Sequence, residues 1–223
     1  MLDSGRWGLL ILGTVAISIV AVEMTLFRAS LGGALRRLGL GRPGGRSLVL
    51  AAGVSAAVLV VYPVSAAVSG EAVHLRPDWP WLLVGLLAFH GLAEELVWRG
   101  YAFRRLREGR SFPAAVWLTM PLIAATHLPI VVSLGPAVGI GAMLVAAVTS
   151  LPFSYLYETG RRTVWAPALV HSAIDSFTLV VIPAAALTTF PLLLVGISLT
   201  VPLLAIVAPR RLVTAREEPT SEQ

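Results

Sequence analysis

Residues 80–103 read PWLLVGLLAFHGLAEELVWRGYAF. The run is long enough to cross a bilayer as one helix, which takes roughly 20 mostly apolar residues. Yet His90, Glu94, Glu95 and Arg99 sit inside it. On either side lie further apolar stretches, at 7–28, 46–69, 112–133, 136–158, 163–182 and 186–208, joined by short connections. The composition agrees. The chain has 223 residues, 57% of them hydrophobic and 13% charged, with a mean hydropathy of +0.82. Soluble domains carry about 25% charged residues, so a soluble fold of this size could not hide so much apolar surface. The expectation is an all-α, polytopic transmembrane helix bundle of about seven spans, one membrane-embedded domain over 1–223. The lipid bilayer is its surrounding, and a nucleic-acid partner is excluded despite a pI near 10.7 and a net charge of +5. Without cysteine there is no disulfide frame, thiol nucleophile or thiolate zinc site. The first apolar stretch carries Glu23 and lacks a small-residue cleavage pattern, so it reads as a retained span rather than a signal peptide.

All seventeen basic residues are arginine. Arg28, Arg36, Arg37, Arg42 and Arg46 fall at or after span one. Arg99, Arg104, Arg105, Arg107 and Arg110 end span three, Arg161 and Arg162 follow span five, and Arg210, Arg211 and Arg216 follow span seven. Only Arg6 and Arg76 lie in the opposite loops. The positive-inside rule then predicts an outside N-terminus and a cytoplasmic C-terminus, with 209–223 a polar cytoplasmic tail. Trp7, Trp79, Trp81, Trp98 and Trp165 fall near predicted helix ends, as an interfacial belt would. Gly135 and Gly139 have the spacing of a helix-packing seam.

An ionisable group within a span costs several kcal/mol on insertion scales, so each needs a reason. Glu23 lies near the end of span one and is expected to snorkel or pair with Arg28. Glu158, beside Arg161 and Arg162, reads as interfacial, and His74 as an ordinary loop residue. Span three is different. Glu95 and Arg99 are four apart with the acid toward the N-terminus, the favourable order for a pair. That leaves Glu94 as the free carboxylate, with His90 four residues before it. Span four holds His127 between Pro121 and Pro129, which can bend the helix around the imidazole. Span six holds His171 and Asp175, again four apart. At about 1.5 Å per residue, Glu94 lies about 21 Å in from Pro80, with His171 and His127 about 18 and 12 Å from the outer side. Groups at such similar depths on three spans can share one cavity.

Glu94-Glu95-x-x-x-Arg99, then a histidine on a later span, then His171-x-x-x-Asp175 resembles the CAAX-protease and bacteriocin-processing family of intramembrane proteases. The family's hallmarks are EExxxR, FxxxH and HxxxN/D on separate transmembrane helices, and residues 80–177 carry the matching motifs. The resemblance implies hydrolysis of a peptide bond in or beside the membrane. It casts Glu94 and His127 as activators of a water and Glu95 and Arg99 as their support. His171 and Asp175 then stabilise the oxyanion or, in the metalloprotease description, join a metal site. Two positions depart from the pattern. Ile123 stands where the family usually has Phe, and Asp175 stands where Asn is common. An ionised Asp only accepts hydrogen bonds, so Asp175 must be protonated, orient His171 or ligate a metal.

Elementary chemistry points the same way. Peptide hydrolysis needs a water nucleophile, a general base and donors for the tetrahedral oxyanion. By family resemblance the cofactor is Zn2+, with Glu94, His127 and His171 as candidate ligands, since three protein ligands and a water make a catalytic zinc site. There is no HExxH motif. Ser55 and Ser198 imitate serine-protease motifs, but small residues are common in membrane helices. A proton- or cation-coupled transporter is the competing class, although no internal repeat is visible. A non-catalytic immunity or scaffold protein is the third. The expected partner is a peptide or membrane-protein substrate. Arginine-only usage suggests a GC-rich bacterial genome, and so a multi-pass protein of the bacterial plasma membrane.

Overall fold

The computed structural model describes residues 4–207. Arg210, Arg211, Arg216 and the rest of the expected tail lie outside them. Among the described residues, six helices are long and apolar enough to cross a membrane. They are α1 (Gly5–Thr25), α3 (Gly45–Ser69), α4 (Trp79–Arg107), α5 (Phe112–Leu134), α6 (Pro136–Thr159) and α8 (Thr189–Val207). A short helix, α2 (Leu31–Arg37), is capped at Ser30, whose hydroxyl accepts from the Gly33 amide at 3.2 Å. Apolar side chains cover the outside of the bundle, with Ile17 at 73% and Val132 at 90% exposed. A water-facing surface would not tolerate that; lipid does.

The sixth expected span, 163–182, is not a full-length helix. Its α-helical part, α7, is Trp165–Ile174, followed by a 3-10 turn over Asp175–Leu179 and a short strand, β2 (Val180–Val181). The segment still runs from one end of the bundle to the other. At its start the Val164 amide donates to the Gly39 carbonyl and the Trp165 indole to the Gly41 carbonyl. At its end β2 pairs antiparallel with β1 (His74–Leu75) at the opposite end of the bundle, His74 against Val181. Ten α-helical, five 3-10 and two extended residues rise about 30 Å in all, the thickness of the hydrocarbon core. Burial permits this irregularity. Ala166, Val170, Ala173 and Ile174 pack with Val54 and Val58 of α3 and with Phe153 and Leu156 of α6. Backbone that leaves the helical pattern at membrane depth is tolerated where protein, not lipid, surrounds it.

Charge pairing fastens the arginine-rich end. Glu23 is fully buried and accepts from Arg104 and from Arg105 at 2.8 Å, with Arg37 at 3.7 Å. The expected partner Arg28 is not among these contacts; three arginines from α2 and α4 take its place. Glu158 pairs with Arg107 at 2.7 Å, joining α6 to α4. At the other end α1 lies tight on α4: a Cβ on Gly8 would sit 2.4 Å from the Gly85 carbonyl oxygen. Of the two glycines read as a seam, Gly139 is one, since its Cβ would lie 2.4 Å from Val131. Gly135 instead turns the chain between α5 and α6 with φ 89°, a conformation glycine adopts without strain.

The middle of α4 is π-helical over Leu87–Ala93 and again over Leu96–Phe103. A π turn bonds i to i+5 and is frequent at functional sites. The widened stretch approaches its neighbours closely at two glycines. A Cβ on Gly91 would lie 2.6 Å from the Ser172 hydroxyl, and one on Gly100 2.4 Å from the Leu38 carbonyl oxygen.

Candidate active site

Between the helices lies a cavity of about 440 Å³. Its polar wall holds His90, Glu94 and Arg99 of α4, His127 of α5, and His171 and Asp175. The opposite wall is apolar, with Val138, Ala142 and Val145 of α6 and Leu194 and Val195 of α8. Trp98 also lines the cavity.

Glu95 anchors the polar wall. It is fully buried, and one oxygen accepts from Arg99 Nη1 at 2.8 Å and from His171 Nδ1 at 2.7 Å. The Arg99 guanidinium also lies 4.9 Å over the Phe153 ring, which is 5.4 Å from the His171 ring. A carboxylate accepts, so His171 presents Nδ1–H to Glu95. Its Nε2 then faces Asp175 Oδ2 at 3.3 Å, with Glu94 Oε2 at 3.8 Å. Among the described residues no arginine pairs with Glu94. Its close contact is His90 Nδ1 at 2.9 Å, and the same nitrogen lies 3.4 Å from Asp175 Oδ2. Glu94 keeps 21% of its side chain exposed against none for Glu95. The two adjacent acids are thus separated into one that reaches the cavity and one that does not.

His127 stands where α5 breaks. The helix stops at Ala125 and restarts at Leu128, with Pro129 in the first turn of the new segment, where a missing N–H costs nothing. His127 Nδ1 lies 3.0 Å from the Ile123 carbonyl. A carbonyl can only accept, so Nδ1 carries a proton, and in the neutral ring Nε2 keeps its lone pair. The residue four before the histidine thus acts through its backbone, which explains how Ile can stand there.

The structure brings all six sequence-predicted residues to this region, five of them on the cavity wall and Glu95 behind it. It also adds His90, which bridges Glu94 and Asp175 and which the motifs alone do not single out. Its spacing of four before Glu94 was the available signal. Among the described residues, the three side chains whose ligand atoms all lie within 4.8 Å of one another are His90, His171 and Asp175. The sequence-derived ligand set of Glu94, His127 and His171 is not that group.

Three carboxylates (Glu94, Glu95 and Asp175) here face one guanidinium and two imidazoles. The cluster is electrically balanced when two further protons are shared among the imidazoles and carboxylates, or when a divalent cation replaces those two protons.

Residues 76–177 match the model of a family described as type II CAAX prenyl endopeptidase Rce1-like. No curated protein and no solved structure matches the chain. The family match covers the residues that carry all three motifs. It supports the CAAX-protease resemblance and, at family level, a CAAX-type intramembrane protease and hence a hydrolase. The six apolar helices and the family together support a multi-pass membrane protein.

Proposed function

We propose that the protein is an intramembrane endopeptidase in which Glu94 and His127 activate a water for attack on a substrate peptide bond. One observation carries this reading: Glu94 reaches the cavity without an arginine partner, while the adjacent Glu95 is locked to Arg99 and His171. Glu94 takes a proton from the water as the water oxygen bonds to the carbonyl carbon, and the C=O electron pair moves onto oxygen. When the C–N bond breaks, the proton passes to the leaving nitrogen, giving an acid and an amine. His127, with its Nε2 lone pair free, orients the water. Glu95 and Arg99 hold His171, and Asp175 holds both imidazoles. His171, when doubly protonated, offers positive charge to the developing oxyanion.

The donor set suits a divalent cation such as Zn2+, with His90, His171 and Asp175 as the group that would hold it. That choice leaves Glu94 for proton transfer, whereas the set read from the sequence would consume it as a ligand. A bound cation would supply Lewis-acid polarisation of the carbonyl. The apolar far wall suits apolar side chains of a peptide or membrane-protein substrate. The host membrane is read as the bacterial plasma membrane, with the arginine-rich end cytoplasmic.

The test compares new protein N-termini in membranes of source cells carrying wild-type or Glu94→Gln protein. Termini that vanish with the variant identify a protease and its substrates. If none changes while the variant remains folded and abundant, the peptidase reading fails, and ion flux in proteoliposomes becomes the measurement.

A further inference from the structure

A second cavity, of about 460 Å³, lies at the arginine-rich end of the bundle, away from the motif residues. Arg36, Arg37, Arg104, Arg107, Arg161 and Arg162 line it, against only Glu108 and Glu158. Some of that charge is spent: Arg104 pairs with Glu23 and Glu108, Arg107 with Glu158, and Arg37 with Glu23. Arg36, Arg161 and Arg162 have no acidic partner among the described residues. Both Arg161 and Arg162 adopt positive φ, 63° and 53°. L-residues with a Cβ rarely adopt that conformation. Here it follows directly on the end of α6 and brings two neighbouring guanidinium groups to one cavity.

A separate observation marks the cavity as built for a ligand. Tyr157 lines it and is 2% exposed, yet its hydroxyl has no hydrogen-bond partner among the described residues. Buried hydroxyls are ordinarily satisfied, so an orphan donor calls for a missing acceptor. This one lies within electrostatic reach of Arg104 and Arg162. The ring lies edge-on to Phe103, and a Cβ on Gly39 would stand 3.2 Å from its edge.

We propose that this cavity binds a phosphate group. Several guanidinium groups line a space of suitable size with one buried phenol O–H in its wall, and phosphate offers the oxygens that pair with guanidinium bidentately. The site lies at the end of the spans, where lipid phosphates sit, so the group can arrive on an anionic lipid headgroup or as free phosphate.

The test uses the full chain purified in a neutral detergent. It is titrated separately with inorganic phosphate, with short-chain phosphatidylglycerol and with short-chain phosphatidylcholine as the net-neutral control. Affinity is read by thermophoresis. Variants are Arg161→Gln/Arg162→Gln, at exposed positions, and Tyr157→Phe, which keeps the ring; each must retain the ligand-free melting temperature. Phosphatidylglycerol or phosphate binds the wild type, the double variant weakens it about tenfold or more, and Tyr157→Phe weakens it about fivefold. Binding by phosphatidylglycerol alone identifies a lipid as the source, and binding by phosphate alone identifies the free ion. Binding no better than the phosphatidylcholine control, or equal binding by wild type and both folded variants, overturns the proposal.

Discussion

Removing one member of the Glu95–Arg99 pair is the most informative perturbation. Glu95 is fully buried and Arg99 is 2% exposed, at 2.8 Å. Arg99→Met leaves a buried carboxylate whose remaining donor is His171; Glu95→Leu leaves a buried guanidinium with no acid at hydrogen-bonding distance. Orphaning one partner of a buried ion pair costs about 3–5 kcal/mol. For a chain of this size that lowers the melting temperature by roughly 6–20 °C, at about 2–4 °C per kcal/mol. If the two losses were independent, the double variant would cost roughly 6–10 kcal/mol. It leaves neither charge orphaned, so it should instead fall within about 3 kcal/mol of wild type, a coupling of about 3 kcal/mol or more. The double variant should nonetheless be inactive, because His171 has lost the acceptor that fixes its Nδ1 proton. The assay is tryptophan fluorescence of the detergent-solubilised protein on heating, at one fixed scan rate, since such unfolding is commonly irreversible. A double variant that melts no higher than the less stable single would refute the reasoning, and so would either single variant melting with the wild type.

Four other outcomes are expected. Glu94→Gln should lower peptidase turnover about 10²–10⁴-fold and leave the melting temperature nearly unchanged, because its principal bond, to His90, survives; His90→Ala should cost less turnover, and parallel assays on one peptide decide the order. Gly100→Ala puts a Cβ 2.4 Å from the Leu38 carbonyl oxygen, so it should destabilise by about 1–3 kcal/mol, seen as a lower melting temperature with normal turnover per folded molecule. Glu23→Gln uncouples three arginines and should destabilise by about 3–5 kcal/mol while per-molecule activity stays the same. Chelation should abolish activity, zinc should restore it, and elemental analysis should find less metal in a His90→Ala/Asp175→Ala variant; activity that survives complete metal removal assigns catalysis to the side chains alone.

Span three shows how far the local pattern reaches. Apolar length, arginine placement and the motif residues are properties of neighbouring positions, so the bundle, the Glu95–Arg99 pair and the contact between His90 and Glu94 could all be read directly. The π-helical widening could not, because it depends on how Gly91 and Gly100 meet Ser172 and Leu38 across the bundle. Nor could the partners of Glu23, two of which lie 81 and 82 positions further along the chain.

The sequence by itself determined that this chain crosses a membrane repeatedly and which ionisable side chains lie within its spans, because hydrophobic length and burial cost are local quantities. The tertiary structure decided which of those side chains touch. It placed His90 beside Asp175, gave Glu95 to both Arg99 and His171, and let the sixth crossing finish as a 3-10 turn and a strand. The physical reason is that backbone polar groups at membrane depth must be satisfied by whatever surrounds them, and what surrounds them is set by contacts between distant parts of the chain.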